Sequence, residues 1–226
     1  MESDNDITSV LAGIMKRPWE WKQLMPLFLK KLSECSDEER NRILGDLAGA
    51  AIDGLSEDEY QNFVEEILVS LISMSAEVRR AILTSSIVIP KGLSAEKAAK
   101  ARSAIVNMLK KNIIENSSNR DGIIRTVFES ILLMSSEDAA DVVSGIVDSS
   151  IGLGAMDYIK YTSAWLSVLG SMDEDSIRKI LALRDNALKG FPNMELERSS
   201  TLLKASLFLI DSGKRKRILN ALSHSE

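Results

Sequence analysis

The residue types that most often carry acid–base, metal or nucleophilic chemistry are scarce in this chain. His224 is the only histidine, and we expect no catalytic or ligating role for it, because a frayed terminus cannot hold a reacting group in place. Cys35 is the only cysteine, and its apolar position in the repeat described below predicts a packed, unreactive thiol. One cysteine cannot form an internal disulfide, which favours a reducing compartment.

Two further patterns could bind ligands but are better explained as helix ends. Gly152 and Gly154 precede a predicted helix, yet no predicted strand precedes them and the third glycine of a phosphate-binding loop is absent. The acidic runs at 37–39 and 173–175 fall in the first turns of predicted helices, where carboxylates interact with the positive end of the helix dipole. No Walker, zinc or nucleophile-elbow motif occurs. We therefore expect no enzyme activity, no metal and no cofactor.

Composition and charge narrow the class of protein. The chain has 226 residues, of which 45% are hydrophobic and 27% charged, and its net charge is −5, so no general basic field attracts nucleic acid. The first ten residues lack the basic start and apolar stretch of a signal peptide. The longest apolar runs are shorter than the ~20 residues that span a membrane. These features predict a cytoplasmic protein without a membrane segment.

Apolar residues recur every three or four positions, which is typical of helices, and five helix starts superpose as an internal repeat. Each begins with a side chain suited to capping a helix N-terminus, and the five are Ser36, Ser75, Ser135, Asp173 and Asp211. Residues one, four and eight positions before each cap, and seven and eight after it, are apolar in all five copies, and Cys35 stands directly before the first cap. Four of these offsets are illustrated by Leu71, Ile67, Ile82 and Leu83 around Ser75.

The spacing of the caps predicts the architecture. Successive intervals are 39, 60, 38 and 38 residues, and a period near 38 fits two helices with their turns. The longer interval leaves room for one extra helix near 94–112, capped by Ser94. We predict an all-α, right-handed α–α superhelix of about five helix pairs with eleven or twelve helices, and we interpret the short run at 86–90 as a helix end stopped by Pro90.

This pattern resembles the HEAT and armadillo class of helical repeats. The likeness covers residues 18–223 of a single domain, 1–226, in which 1–17 form an N-terminal capping segment. It implies a scaffold or adaptor that binds another protein. The alternative is a nucleic-acid-binding protein similar to HEAT-like DNA glycosylases, against which the net charge and an acidic band at 121–172 argue. A third possibility is self-assembly through the ends of the stack.

Charge is distributed in bands, which suggests a binding surface. Residues 61–120 carry a net charge of +4 between flanking segments of −6 (1–60) and −5 (121–172). An acidic protein partner would be attracted to this basic band, whereas a merely solvated surface is the alternative. The predicted partner-binding residues are Arg79, Arg80, Lys97, Lys100, Arg102, Lys110 and Lys111. A second basic run, Lys214–Arg217, is either a solvated helix face or a contact to nucleic acid.

Two more features leave alternatives open. Trp19 and Trp21 lie on opposite sides of a predicted helix start, so one of them either caps the core or serves as an exposed interaction anchor. Small residues such as Gly45, Ala48 and Gly49 either allow close helix packing or line a groove.

Overall fold

The computed structural model describes residues 13–14, 17–83, 93–115 and 117–223. In these ranges it contains eleven α-helices, a short 3-10 turn at Pro18–Glu20 and no strand. The helices are α1 (Trp21–Ser33), α2 (Asp37–Gly54), α3 (Glu57–Ile72), α4 (Ala76–Leu83), α5 (Ala95–Ile114), α6 (Arg120–Leu133), α7 (Ser136–Ile151), α8 (Ala155–Leu169), α9 (Glu174–Leu188), α10 (Asn193–Phe208) and α11 (Ser212–Ser223). The all-α prediction is confirmed, and α5 is the predicted extra helix.

The predicted caps are confirmed by hydrogen bonds to the first turns of their helices. The Ser36 hydroxyl accepts from the Glu39 amide at 3.3 Å, and the Asp173 carboxylate accepts from the Ser176 amide at 2.9 Å. The same bond is made by Ser75, Ser94, Ser135 and Asp211. Because capping depends on residues close in sequence, these helix starts could be predicted without any tertiary information.

The predicted repeat core is buried with few exceptions. Ile67, Leu71 and Ile180 are buried, as are most of the equivalent positions in the other copies. The prediction for Leu219 is wrong, because this residue is exposed on α11. Leu203 is only half-buried, and so are Cys35 and Met74, which stand directly before their caps, so the predicted full packing of the Cys35 thiol is not observed. The repeated apolar positions therefore predict most of the buried core, and the prediction is least accurate in α10 and α11.

By contacts the chain divides into two compact units, 1–108 and 109–226. In the first unit, α1 packs on α3 and α4. Trp21 lies edge-on to Phe63 with ring centroids 5.1 Å apart, and its indole N–H donates to the Ile14 carbonyl at 2.6 Å. Trp21 therefore belongs to the core, whereas Trp19 is 76% exposed.

The second unit is a regular array. The helices α7 to α11 begin at residues 136, 155, 174, 193 and 212, so each starts 19 residues after the last. Each helix packs mainly on the second helix along the chain, so that α6, α8 and α10 form one row and α7, α9 and α11 the other. Phe128 and Trp165 join α6 to α8 in an edge-to-face contact at 5.1 Å.

A ladder of basic side chains ties this array together. Lys160, Lys179, Arg198 and Arg217 occupy the sixth position of α8, α9, α10 and α11. Each donates to backbone carbonyls at the C-terminal end of the helix three before it. The C-terminal end of a helix carries unpaired carbonyls and a partial negative charge. Each basic side chain therefore satisfies carbonyls with hydrogen bonds and offsets the negative charge of that helix end. We call these four residues the basic ladder.

Several sequence predictions fall outside the described residues, namely those for the run at 86–90, for Pro90, for His224 and for most of the N-terminal capping segment at 1–17. Among the helices that the structure describes, none combines the length and apolar character needed to cross a bilayer.

Candidate functional site

The predicted partner-binding residues lie in different places. Arg79 and Arg80 are on α4, which packs on α1, and they are half-buried and exposed respectively. Arg102 is a half-buried residue of α5. In the second unit, Lys110 is half-buried and Lys111 exposed.

The remaining two predicted residues, Lys97 and Lys100, lie next to cavities of the first unit but are paired with carboxylates. The Lys97 ammonium is 2.5 Å from an oxygen of Asp53, and the Lys100 ammonium is 3.1 Å from an oxygen of Glu96. These pairs reduce the positive charge that the basic band offers to an acidic partner.

The first cavity, which we call the α2/α5 groove, has a volume of about 560 Å³. Its described lining consists of Arg42, Gly45, Asp46, Gly49, Ala50, Asp53, Leu93, Ser94 and Lys97. A Cβ atom added to Gly49 would meet Leu93 and Lys97 only at 3.9 and 4.0 Å, which is ordinary contact. Both interpretations of the small residues therefore apply, since Ala48 is buried while Gly45 and Gly49 line the groove.

The second cavity, the Tyr60 pocket, has a volume of about 290 Å³. It is lined by Ile52, Leu55, Glu57, Tyr60, Lys100, Ser103 and Ala104. Ile52 and Leu55 come from the C-terminal end of α2, Glu57 and Tyr60 from the first turn of α3, and the others from α5. The pocket thus combines apolar walls with a cation, a carboxylate and two hydroxyls.

Tyr60 carries an unused hydroxyl into this pocket. The residue is 7% exposed, and its ring stacks on Phe63 at 6.4 Å. No hydrogen bond joins its hydroxyl to any of the described residues. Burial raises the pKa of Tyr60 to about 12, so the group is a neutral phenol near pH 7 and can both donate and accept.

Glu57 is positioned by two amides. Its Oε1 accepts from Gln61 on its own helix and from Asn107 on α5, each at 3.4 Å. The other oxygen, Oε2, receives no hydrogen bond from the part of the chain that the structure describes. Since a carboxylate can accept about four bonds, Glu57 keeps acceptor capacity for a guest.

A buried polar cluster in the second unit has a structural role. The Ser199 hydroxyl lies 2.7 Å from the Tyr158 hydroxyl and accepts from the Arg184 guanidinium at 3.1 Å. A nucleophilic serine needs a neighbouring base such as an imidazole or a carboxylate, and Ser199 has neither among these partners. With Ser199 only 2% exposed, the cluster satisfies polar groups inside the array.

The basic run Lys214–Arg217 is largely engaged within its own unit. Lys214 donates to the Ser167 hydroxyl at 3.1 Å, and Arg215 lies over the Phe208 ring at 5.3 Å. Arg217 is the last member of the basic ladder. Three of the four side chains therefore have intramolecular partners, which leaves Lys216 as the one exposed for an external phosphate without such a contact among the described residues.

Sequence reasoning missed the basic ladder and the Tyr60 pocket. The recurrence of a basic residue at 160, 179, 198 and 217 was visible, although its backbone acceptors were not. The pocket has one local indicator, the capping box of Ser56 and Glu59, which places Tyr60 in the first turn of α3.

Metal chemistry and comparisons add no assignment. Within the described residues, no group of three or more histidine, cysteine or acidic side chains is arranged to hold a metal ion. No protein-family model, curated protein or solved structure matches the chain.

Proposed function

We propose that the protein is a non-catalytic scaffold that binds another protein through a HEAT- or armadillo-like helical array in the cytoplasm. The observation that supports this proposal best is a pair of exposed methionines. Met156 and Met194 are 78% and 79% exposed, and both are the second residue of their helices, α8 and α10.

These two helices pack on each other, so the methionines occupy equivalent places on neighbouring helices, 38 residues apart. Single exposed apolar residues are common, but a pair repeated at equivalent places offers a partner two apolar anchors, and methionine is adaptable enough to suit a protein interface. The basic ladder fixes the helices beneath, because Arg198 of α10 donates to the carbonyls of Ile151 and Leu153, just before α8. Anchors on a preorganised support lose less entropy on binding.

The test is capture of partners from a lysate with the immobilised full chain, followed by mass spectrometry. We expect a specific protein that is lost with the double variant Met156→Gln and Met194→Gln. The matched control is Leu219→Gln, which removes an exposed apolar side chain from α11 and should leave capture unchanged. Failure of the wild-type chain to retain any protein above the background of an unrelated helical protein would contradict the proposal.

The acidic partner predicted from the basic band remains a part of this proposal, with Arg80 of the first unit and Lys111 of the second unit as exposed cations that are tested separately. Charge reversal at the residue that contacts the partner should weaken capture and its salt dependence. Retention of both would show that the band is only a solvated surface.

A further inference from the structure

The basic ladder shows how this fold uses the C-terminal ends of its helices, and it draws attention to a position where the same device is incomplete. Arg198 and Arg217 donate to carbonyls 45 and 47 residues earlier. Lys100 is the sixth residue of α5, the position that the ladder residues hold on their own helices. Its equivalent acceptors would lie at residues 53 and 55, at the end of α2.

The Tyr60 pocket occupies that place. Lys100 and Leu55 both line it, but the Lys100 ammonium pairs with Glu96 on its own helix. Both members of this pair are well exposed, at 60% and 80% of their side-chain surface, and exposed pairs of this spacing are weak. The space between Lys100 and the end of α2 therefore stays open, because the lysine does not donate to the carbonyls there as the ladder residues do.

The groups around this space suit a cation. The pocket lies at the negative end of the α2 dipole and also at the positive end of the α3 dipole, and these two ends offset each other there. The side chains therefore decide the charge: Glu57 presents an oxygen without a hydrogen bond from the described residues, and the Tyr60 hydroxyl can accept. Glu96 offsets the charge of Lys100, so that Glu57 leaves an excess of negative charge. Ile52, Leu55 and Ala104 provide apolar walls.

The size of the pocket limits the guest to one side chain. A volume of about 290 Å³ is at or below the lower limit of small-molecule sites. An arginine fits this chemistry best, because its planar guanidinium offers five donors to a carboxylate and a phenol while its methylene stem packs on apolar walls. An anionic group would meet the unshared charge of Glu57.

We propose that the Tyr60 pocket binds a single arginine side chain presented by a protein partner, which completes at α2 the kind of contact that the basic ladder makes in the second unit. This inference rests on the proposed scaffold function, and it names the chemistry of one anchor of the partner.

The first experiment uses the full-length chain and capped amino acids as probes, namely N-acetyl-arginine N-methylamide and the neutral citrulline analogue of the same shape. Amide chemical shifts are followed by NMR during titration. We expect the arginine probe to perturb Leu55, Tyr60 and Ser103 with a Kd of roughly 1–10 mM, and the citrulline probe to bind about tenfold more weakly, because charge-assisted hydrogen bonds are the stronger ones.

Charge-changing variants test whether the pocket favours a cation or an anion. Glu57→Gln should weaken arginine binding about tenfold, and Lys100→Met, which removes the opposing cation, should strengthen it several-fold. Glu38→Gln, an exposed acid elsewhere on α2, is the control and should change nothing. Tyr60→Phe provides an independent test should Glu57→Gln unfold, and it should weaken binding by roughly threefold.

Three results would overturn the inference: no perturbation by arginine, equal binding of arginine and citrulline, or opposite signs for the Glu57 and Lys100 variants, which would indicate an anion site. Capture experiments separate this inference from the proposed function. If Glu57→Gln captures the same partner as strongly as the wild type, the scaffold stands and the arginine anchor is wrong. If the wild type captures no partner, the scaffold is wrong, and the probe titration still decides what the pocket binds.

Discussion

At the scale of single residues, two tyrosines show how partnering separates a structural role from a binding role. Tyr158 and Tyr60 are both buried, at 4% and 7% exposure. The Tyr158 hydroxyl lies 2.7 Å from the Ser199 hydroxyl, whereas that of Tyr60 faces a cavity without a described partner. The Tyr60 hydroxyl therefore remains available to a group that enters the cavity.

The two tyrosines should therefore respond differently to loss of the hydroxyl. Tyr158→Phe removes a buried hydrogen bond and should lower the free energy of unfolding by about 1–2 kcal/mol. Tyr60→Phe removes no internal bond and should stay within about 0.5 kcal/mol of the wild type. Urea denaturation followed by circular dichroism measures both. An equal loss in the two variants would mean that the Tyr60 hydroxyl is satisfied within the fold.

Tyr60 should also affect stability at high pH. Burial raises its folded-state pKa to about 12, while an unfolded tyrosine ionises near pH 10. Between these values the folded state binds more protons than the unfolded state, so stability falls as pH rises. Tyr60→Phe should show a shallower fall in melting temperature from pH 10 to 12. Some decline should persist, because burial also raises the pKa of Tyr161. Identical pH profiles would contradict the burial of the phenol.

At the scale of elements, the basic ladder connects helices that are far apart in sequence. Arg217 donates from α11 to the carbonyls of Gly170 and Met172, beyond the end of α8. Gly170 supports this approach, because a Cβ atom there would come within 2.7 Å of the Lys214 Cβ and 3.1 Å of the Lys214 carbonyl oxygen. A close backbone approach and a basic donor thus fix α11 against α8 together.

The ladder should contribute measurably to stability. Arg217→Ala leaves carbonyls at a helix end without their charged donor and should lower the free energy of unfolding by about 1–2 kcal/mol. Lys216→Ala, at the exposed neighbouring position, should change it by less than about 0.5 kcal/mol. Chemical denaturation of both variants provides the comparison. If Arg217→Ala matches Lys216→Ala, water replaces the guanidinium without loss and the ladder is not a stabilising device.

The elements also show what the sequence could predict and why. Ser36, Ser94 and Asp173 were correctly predicted as caps, because a cap is decided within one turn of helix. Leu219 was wrongly placed in the core, because burial depends on whether another element covers that side of α11. The acceptors of Arg198 lie 45 and 47 residues away in the backbone, and no side-chain pattern reveals a carbonyl.

The candidate site was predictable only in part for the same physical reason. Lys97 and Lys100 were predicted as surface cations, and both lie beside cavities. The Asp53 partner of Lys97 lies 44 residues away, and both this pair and the space that α2 and α3 leave beside Tyr60 depend on how the helices pack. The Glu96 partner of Lys100, by contrast, lies four residues away on the same helix. Charge counted along the chain therefore overstates the positive field that Lys97 and Lys100 present, since Asp53 neutralises the first.

At the scale of the whole molecule, the use of basic side chains bears on the choice between a protein and a nucleic-acid partner. The chain has 28 basic and 33 acidic residues. The four ladder residues donate to backbone carbonyls, and Lys97 and Lys100 are paired with carboxylates. Binding to DNA depends mainly on lysine and arginine side chains that neutralise phosphates and release counterions, and these six are already engaged.

We therefore expect no complex with a duplex DNA of about 20 base pairs in a gel-shift assay with roughly 10 μM protein at about 0.15 M salt. A non-specific DNA-binding protein with a Kd of about 1 μM would shift the DNA under these conditions. Lowering the salt to about 0.05 M strengthens any phosphate contact steeply, so a shift that appears there and disappears at higher salt would show a basic surface free to bind nucleic acid. Charge reversal at Lys216 would then identify whether the run Lys214–Arg217 supplies it. A shift that persists at about 0.15 M salt would favour the nucleic-acid alternative over the protein scaffold, because binding that survives this salt requires several lysine and arginine side chains outside the six engaged ones to neutralise phosphates.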